Sequence, residues 1–248
     1  MGGDIPIVLV HGWGIDSSVW EPCLQRLRCK HDVYLLDLPG YGINREVSTI
    51  ATSGLIEQAS ALKLDLPERY LLVGFSLGGV VASLCRESLF TDARGLITVA
   101  SNRSFVACDD WVHGIDTDIF HGFLSALKED KHRLVKRFCS LQCEGVENFR
   151  ERRRLLLSQL DPELDYAVLE QGLDALQHSD LERSWLGSAC PTLHQFGSLD
   201  RLVPVAAAGA LAELGLKVEI FNASAHLPFV DEVEGWVASV EHFARCLV

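Results

Sequence analysis

The chain has no apolar run approaching the roughly 20 residues that cross a bilayer, so no transmembrane helix is expected. Positive charge is scarce: 22 Lys and Arg stand against 34 Asp and Glu, a formal net charge of −12. A field of that sign argues against nucleic acid and against a membrane surface as general partners. The eight cysteines show no paired CxxC spacing, and no secretory leader precedes the first apolar run. Free thiols and a cytoplasmic location are therefore expected, not a disulfide scaffold. Internal repeats, low-complexity tracts and linkers are also lacking. With 48% hydrophobic and 23% charged residues in 248, the composition favours one globular unit with a large core, and a monomer is expected.

What is present is a rhythm of short apolar runs and helix-forming stretches. Strands are read at Ile5 to Val10, Val33 to Leu36, Tyr70 to Phe75, Gly95 to Ala100, Thr192 to Phe196 and Val218 to Phe221. Helices are read at Val19 to Leu27, Ile50 to Leu62, Leu77 to Leu89 and Pro204 to Leu214. Such alternation implies an α/β fold with a mostly parallel central sheet covered on both faces. About ninety residues break the rhythm. The interval 102–190 is charged, rich in helix formers and without a convincing strand, and is read as a helical lid inserted into a core of 1–101 and 191–248. Open α/β folds place their ligand crevice at the carboxyl edge of the sheet, where such a lid would lie.

Gly74-Phe75-Ser76-Leu77-Gly78-Gly79 follows one of these strands and opens a helix, the setting of the nucleophile elbow of α/β-hydrolases. A serine hydroxyl is a poor nucleophile until a base accepts its proton and a third group orients that base. In this fold the chain order is Ser, acid, His. Asp200 follows the Thr192 to Phe196 strand, and His226 follows the last strand in Ala225-His226-Leu227-Pro228-Phe229. Of the other histidines, His31, His113, His121, His132, His178 and His242 lie in charged or helical stretches, His194 lies within a strand, and His11 reads as shaping its loop. Asp37 precedes Ser76 and reads as a turn organiser, while Asp174 and Asp180 belong to the lid. Ser76, Asp200 and His226 are thus the expected catalytic triad. The oxyanion of a tetrahedral intermediate needs two backbone donors, expected from Leu77 and from Trp13 in His11-Gly12-Trp13-Gly14. The alternative reading of Trp13, as a core aromatic alone, is the weaker one, and the two roles are compatible. No metal or organic cofactor is implied.

Between Lys128 and Arg154 the balance inverts, with nine Lys and Arg against five Asp and Glu, a local +4 against −16 elsewhere. Arg133 with Arg137 and Arg150 with Arg154 are each spaced i, i+4 and would project from one helix face. A basic patch on an acidic protein would steer and orient an acidic partner.

With Val10 to Gly14, Asp37-Leu38-Pro39-Gly40, Ser76 to Gly79, Thr98 to Ser101, Ala225-His226 and the lid positions Arg133, Arg137-Phe138, Leu141-Gln142 and Gly145, nearly the whole chain resembles the biotin-pathway carboxylesterases that hydrolyse the methyl ester of pimeloyl-acyl carrier protein. The resemblance implies that Arg133, Arg137, Arg150 and Arg154 grip the carrier protein. It further implies that Phe138, Cys139, Ser140, Leu141 and Gln142 line the acyl channel, with Trp13, Ser76, Leu77 and His226 around the ester. Two departures stand out: only Met1 to Asp4 precede the first strand where that family carries a hairpin, and Asn44 replaces a small hydroxyl residue. The triad alone fits two other readings. One is a general carboxylesterase or thioesterase acting on small free substrates; the other is a ligand-binding protein on a hydrolase scaffold.

Overall fold

The computed structural model describes residues 5–47, 54–60, 62 and 65–247. Met1 to Asp4, the stretch that the sequence comparison set against a family hairpin, lie outside them, as does part of the expected helix from Ile50 to Leu62. Among the described residues six strands form one sheet: β1 (Ile7–Val10), β2 (Val33–Leu36), β3 (Tyr70–Phe75), β4 (Ala93–Val99), β5 (Thr192–Gly197) and β6 (Lys217–Phe221). Their order is β2-β1-β3-β4-β5-β6, and every described pairing is parallel.

Alternation along the strands separates two apolar layers. Val8 and Val10 of β1 and Leu72 of β3 face one layer, while Ile7, Leu9, Leu71 and Val73 face the other. The first layer is covered by α2 (Leu55–Ser60), α3 (Leu77–Leu84) and α9 (Ala206–Glu213). The second is covered by α1 (Glu21–Leu27), α10 (Pro228–Asp231) and α11 (Val233–Arg245), with Trp20 and Trp236 stacked 5.7 Å apart between them. A sheet buried on both faces requires apolar strands without a polar alternate. Hence the central strand β3 is buried at all six positions.

Between β4 and β5 lie five helices: α4 (Thr117–Glu129), α5 (Lys131–Gln142), α6 (Phe149–Ser158), α7 (Tyr166–His178) and α8 (Glu182–Leu186). Aspartates start three of them, since the carboxylates of Asp116, Asp130 and Asp165 accept N–H groups that the first turn leaves unpaired. The apolar faces of α4, α5 and α7 (Phe120, Phe123, Leu134, Phe138, Leu169, Leu173) merge with the layer containing Trp13 and Leu77. This insertion is therefore packed onto the sheet's carboxyl edge. No described helix is long and apolar enough to cross a membrane.

Candidate active site

Four loops at the carboxyl ends of the strands meet beneath the insertion. Ser76 stands between β3 and α3 with φ 51° and ψ −117°, a left-handed backbone that costs a non-glycine residue about 1–3 kcal/mol. The surroundings impose it. The Ser76 N–H donates to Val99 O at 2.8 Å, and the Ser101 hydroxyl donates to Ser76 O at 2.9 Å. Close approach explains the glycines: a Cβ at Gly78 would lie 2.3 Å from His11 O, and one at Gly79 would lie 2.0 Å from Ser101 Oγ.

The loop after β1 passes beside this turn. His11 is buried, and its Nε2 accepts the Leu38 N–H at 3.0 Å while Nδ1 donates to Gly12 O at 2.8 Å. Burial holds its pKa below the ordinary histidine value, and the ring shapes the loop as a neutral group. Asp37 organises the next turn through N–H groups of Ser17 and Ile43. Burial pushes its carboxyl up, yet these hydrogen bonds outweigh that and leave it below the usual range. Asn44 donates to Asp37 O, so the departure noted in the sequence ties the same turn. Trp13 is 1% exposed, its indole N–H donates to Leu169 O of α7 at 2.9 Å, and its ring meets Phe138 of α5 edge-on at 4.8 Å. The Trp13 side chain is thus a core aromatic, and its backbone N–H donates to no group among the described residues; the same holds for the Leu77 N–H.

Asp200 sits on the turn after β5. Its Oδ1 accepts the N–H groups of Leu202 and Val203 at 2.7 and 3.0 Å, and its Oδ2 accepts His226 Nδ1–H at 2.6 Å. Both side chains are fully buried. The two loops can cross because residue 197 is glycine: a Cβ there would lie 1.8 Å from Ala225 O. With Nδ1 donating to a carboxylate, Nε2 keeps its lone pair, and it has no hydrogen-bond partner. No hydrogen bond therefore joins His226 to Ser76, although Phe75, next to Ser76, packs edge-on against the His226 ring at 5.1 Å. A buried imidazole oriented by a carboxylate, beside an elbow serine and free N–H groups, has the parts needed for acyl transfer.

Five consecutive residues of α5 were expected to line one channel, but an α-helix turns about 100° per residue, so they cannot share a face. Phe138 reaches Trp13, and Gln142, one turn on, accepts the His226 N–H with its backbone oxygen at 3.2 Å. Leu141 is half-buried against the same layer. Cys139 instead packs in the opposite cluster, and Ser140 accepts Arg153 Nε–H at 2.7 Å on the outer side. Arg133 and Arg137 on α5 and Arg150 and Arg154 on α6 are exposed. Arg133 and Arg137 edge a groove of ≈ 530 Å³ shared with His132, Lys136, Ser140 and Arg153.

Other contacts had no signal in the sequence. Tyr41 accepts the Gly14 N–H and so fixes the loop of Trp13. The loop of His226 is held by acids at the junction of α10 and α11: Glu232 accepts the Ala223 N–H and the Ser224 hydroxyl, and Asp231 accepts the Ala225 N–H.

The family model for the alpha/beta hydrolase family matches residues 7–240. A pimeloyl-[acyl-carrier protein] methyl ester esterase of Pectobacterium carotovorum subsp. carotovorum (strain PC1) is 37% identical over 247 residues, covering 98% of this chain and 95% of the relative. The protein of the same name from Yersinia enterocolitica serotype O:8 / biotype 1B is 38% identical over 249 residues, covering 98% and 94%. Among solved structures, a bromoperoxidase from Bacillus anthracis superposes with a TM-score of 0.83 at 19% identity, covering 98% of this chain and 93% of that one, a likeness of fold.

Proposed function

The chain belongs to the alpha/beta hydrolase family and, within it, to the pimeloyl-[acyl-carrier protein] methyl ester esterases, and from that membership we propose that it is a serine carboxylesterase converting pimeloyl-acyl carrier protein methyl ester to pimeloyl-acyl carrier protein and methanol. Ser76 is the nucleophile, His226 the base and Asp200 its orienting acid. His226 Nε2 takes the hydroxyl proton as Ser76 Oγ attacks the ester carbonyl, and the imidazolium is stabilised by Asp200. The oxyanion is received by the Trp13 and Leu77 N–H groups, each worth about 3 kcal/mol in such a role. Methanol leaves with the proton from His226. Water, deprotonated by the same nitrogen, then hydrolyses the acyl-enzyme and releases a terminal carboxylate on the carrier.

The observation that carries this reading is the 2.6 Å Asp200–His226 hydrogen bond, set under the insertion beside the elbow serine. Ser76 is 3% exposed and His226 0%, so the insertion acts as a lid that must lift to admit the acyl chain and, once seated, excludes water from the ester. Arg133, Arg137, Arg150 and Arg154 form the docking face for the acidic carrier protein, and Phe138, Leu141 and Gln142 lie along the acyl path. The enzyme works in the cytoplasm as a monomer. The test is a comparison of kcat/KM for the carrier-linked methyl ester and for free short esters, with Ser76→Ala as control. A strong preference for the carrier-linked substrate, abolished in the variant, is expected; equal constants on both substrates would make it a general esterase, and undiminished turnover by Ser76→Ala would remove the nucleophile.

A further inference from the structure

The Asp231 side chain is 4% exposed and so sits almost wholly out of water. Burying a carboxylate is costly unless something compensates, and two groups do. Its Oδ2 accepts the N–H of Ala225, the residue immediately before His226, at 3.1 Å. Its Oδ1 lies 3.4 Å from Nε of Arg152 on α6 of the insertion. One carboxylate thus links the inserted helices to the peptide that carries the imidazole. A second strand of the same connection is the His226 N–H bond to Gln142 O, at the end of α5.

We infer that Asp231 is a positioning residue: paired with Arg152, it holds the Ala225–His226 peptide in place for proton transfer only while the insertion is seated. The inference rests on His226 being the base. Lifting α6 away from the sheet would separate Arg152 from Asp231 and free the peptide to rotate, so closure over a substrate and placement of the base are one event. Glu232 does not duplicate this, because it holds Ala223 and Ser224 farther from the ring.

The charges around Asp231 give the link a pH dependence. Arg152 faces it from α6, Cys143 from the end of α5, and Glu232 follows it in the chain. Burial pushes the Asp231 carboxyl up to about 6, against the Ala225 hydrogen bond and the Arg152 charge. Above that value the carboxylate is ionised and pairs with Arg152; below it the carboxyl is neutral and the pairing is lost.

Hydrolysis of p-nitrophenyl butyrate by the full chain tests this with Asp231→Asn, Arg152→Gln, the double variant, Arg152→Lys and His226→Ala. Asp231→Asn and Arg152→Gln are each expected to lower kcat about tenfold with KM nearly unchanged, as a small misplacement of a catalytic group does. The double variant should be no worse than the poorer single, and Arg152→Lys should recover most of the rate. The ratio of wild-type to Asp231→Asn kcat should fall from about tenfold near pH 8 to about twofold at about pH 5, where most of the wild-type carboxyl is neutral. Losses that multiply in the double variant, or a ratio independent of pH, would overturn the inference. Should Asp231→Asn fail to fold, the half-buried Arg152 decides alone: equal kcat in wild type, Arg152→Gln and Arg152→Lys would refute it. His226→Ala separates the two readings. If it stays active the base assignment falls, and if it is dead while the Arg152 variants match wild type, only the positioning role falls.

Discussion

Replacing Asp200 by Asn changes one atom and keeps the shape, which makes it a clean probe of the acid. Oδ1 of Asp200 already accepts two backbone N–H groups, from Leu202 and Val203. An amide at this position must turn its oxygen towards them. The opposite orientation would face NH₂ against two buried donors, at about 1–3 kcal/mol for each group left unpaired. Its NH₂ then points at His226 Nδ1, which has to become the acceptor, and the ring proton moves to Nε2. A base protonated at the nitrogen that should take the Ser76 proton is the wrong tautomer. A loss of about 10⁴ in kcat, near 5.5 kcal/mol of barrier, is expected for such a change. The assay is steady-state hydrolysis of a p-nitrophenyl ester near neutral pH, with circular dichroism to establish that the fold is intact. A folded Asp200→Asn enzyme within tenfold of wild type would refute the orientation argument.

Two further outcomes follow from the same structure. Reversing charge in Arg133→Glu/Arg137→Glu should lower kcat/KM for the carrier-linked ester by about one to two orders of magnitude, in a salt-dependent way, and leave a free short ester within about twofold; equal losses on both would remove the docking role. His194 is fully buried against Trp185 and its pKa is lowered to about 3 by burial from an ordinary 6.5. The unfolded chain therefore binds a proton that the folded chain refuses, and stability falls as pH drops below 6.5; at about pH 5 the deficit is roughly 2 kcal/mol. Urea denaturation at pH 7 and 5 should show wild type losing about 2 kcal/mol more than His194→Gln, whose remaining loss comes from other groups such as buried His11; equal losses in the two would refute it.

Much of this fold is legible in the sequence because a sheet buried on both faces leaves uninterrupted apolar runs. Val33 to Leu36 and Tyr70 to Phe75 match their strands end to end, and the other four agree within two residues. Helix ends were harder. The stretch read from Val19 divides into a 3-10 turn at Ser17–Trp20 and α1, with Pro22 in the first turn of the helix, and α3 ends at Leu84 instead of Leu89. At the site, Ser76, Asp200 and His226 stand out because each follows a strand end. The resemblance offers the lining residues of α5 as a contiguous run, whereas helical rotation divides Phe138 and Gln142 from Cys139 and Ser140. Asp231 and Arg152 were silent, since nothing in an acid near the last helix or one arginine among several says that they meet 79 residues apart. Only the packing of α6 against the histidine loop brings them together.

The most direct measurement is mass spectrometry of the chain after brief exposure to a fluorophosphonate, which reacts with a serine only when a neighbouring base has activated it. Rapid stoichiometric labelling confined to the peptide containing Ser76, and lost in His226→Ala, is the expected result. Absence of label, or label on another residue, would contradict the claim that this buried serine is the nucleophile.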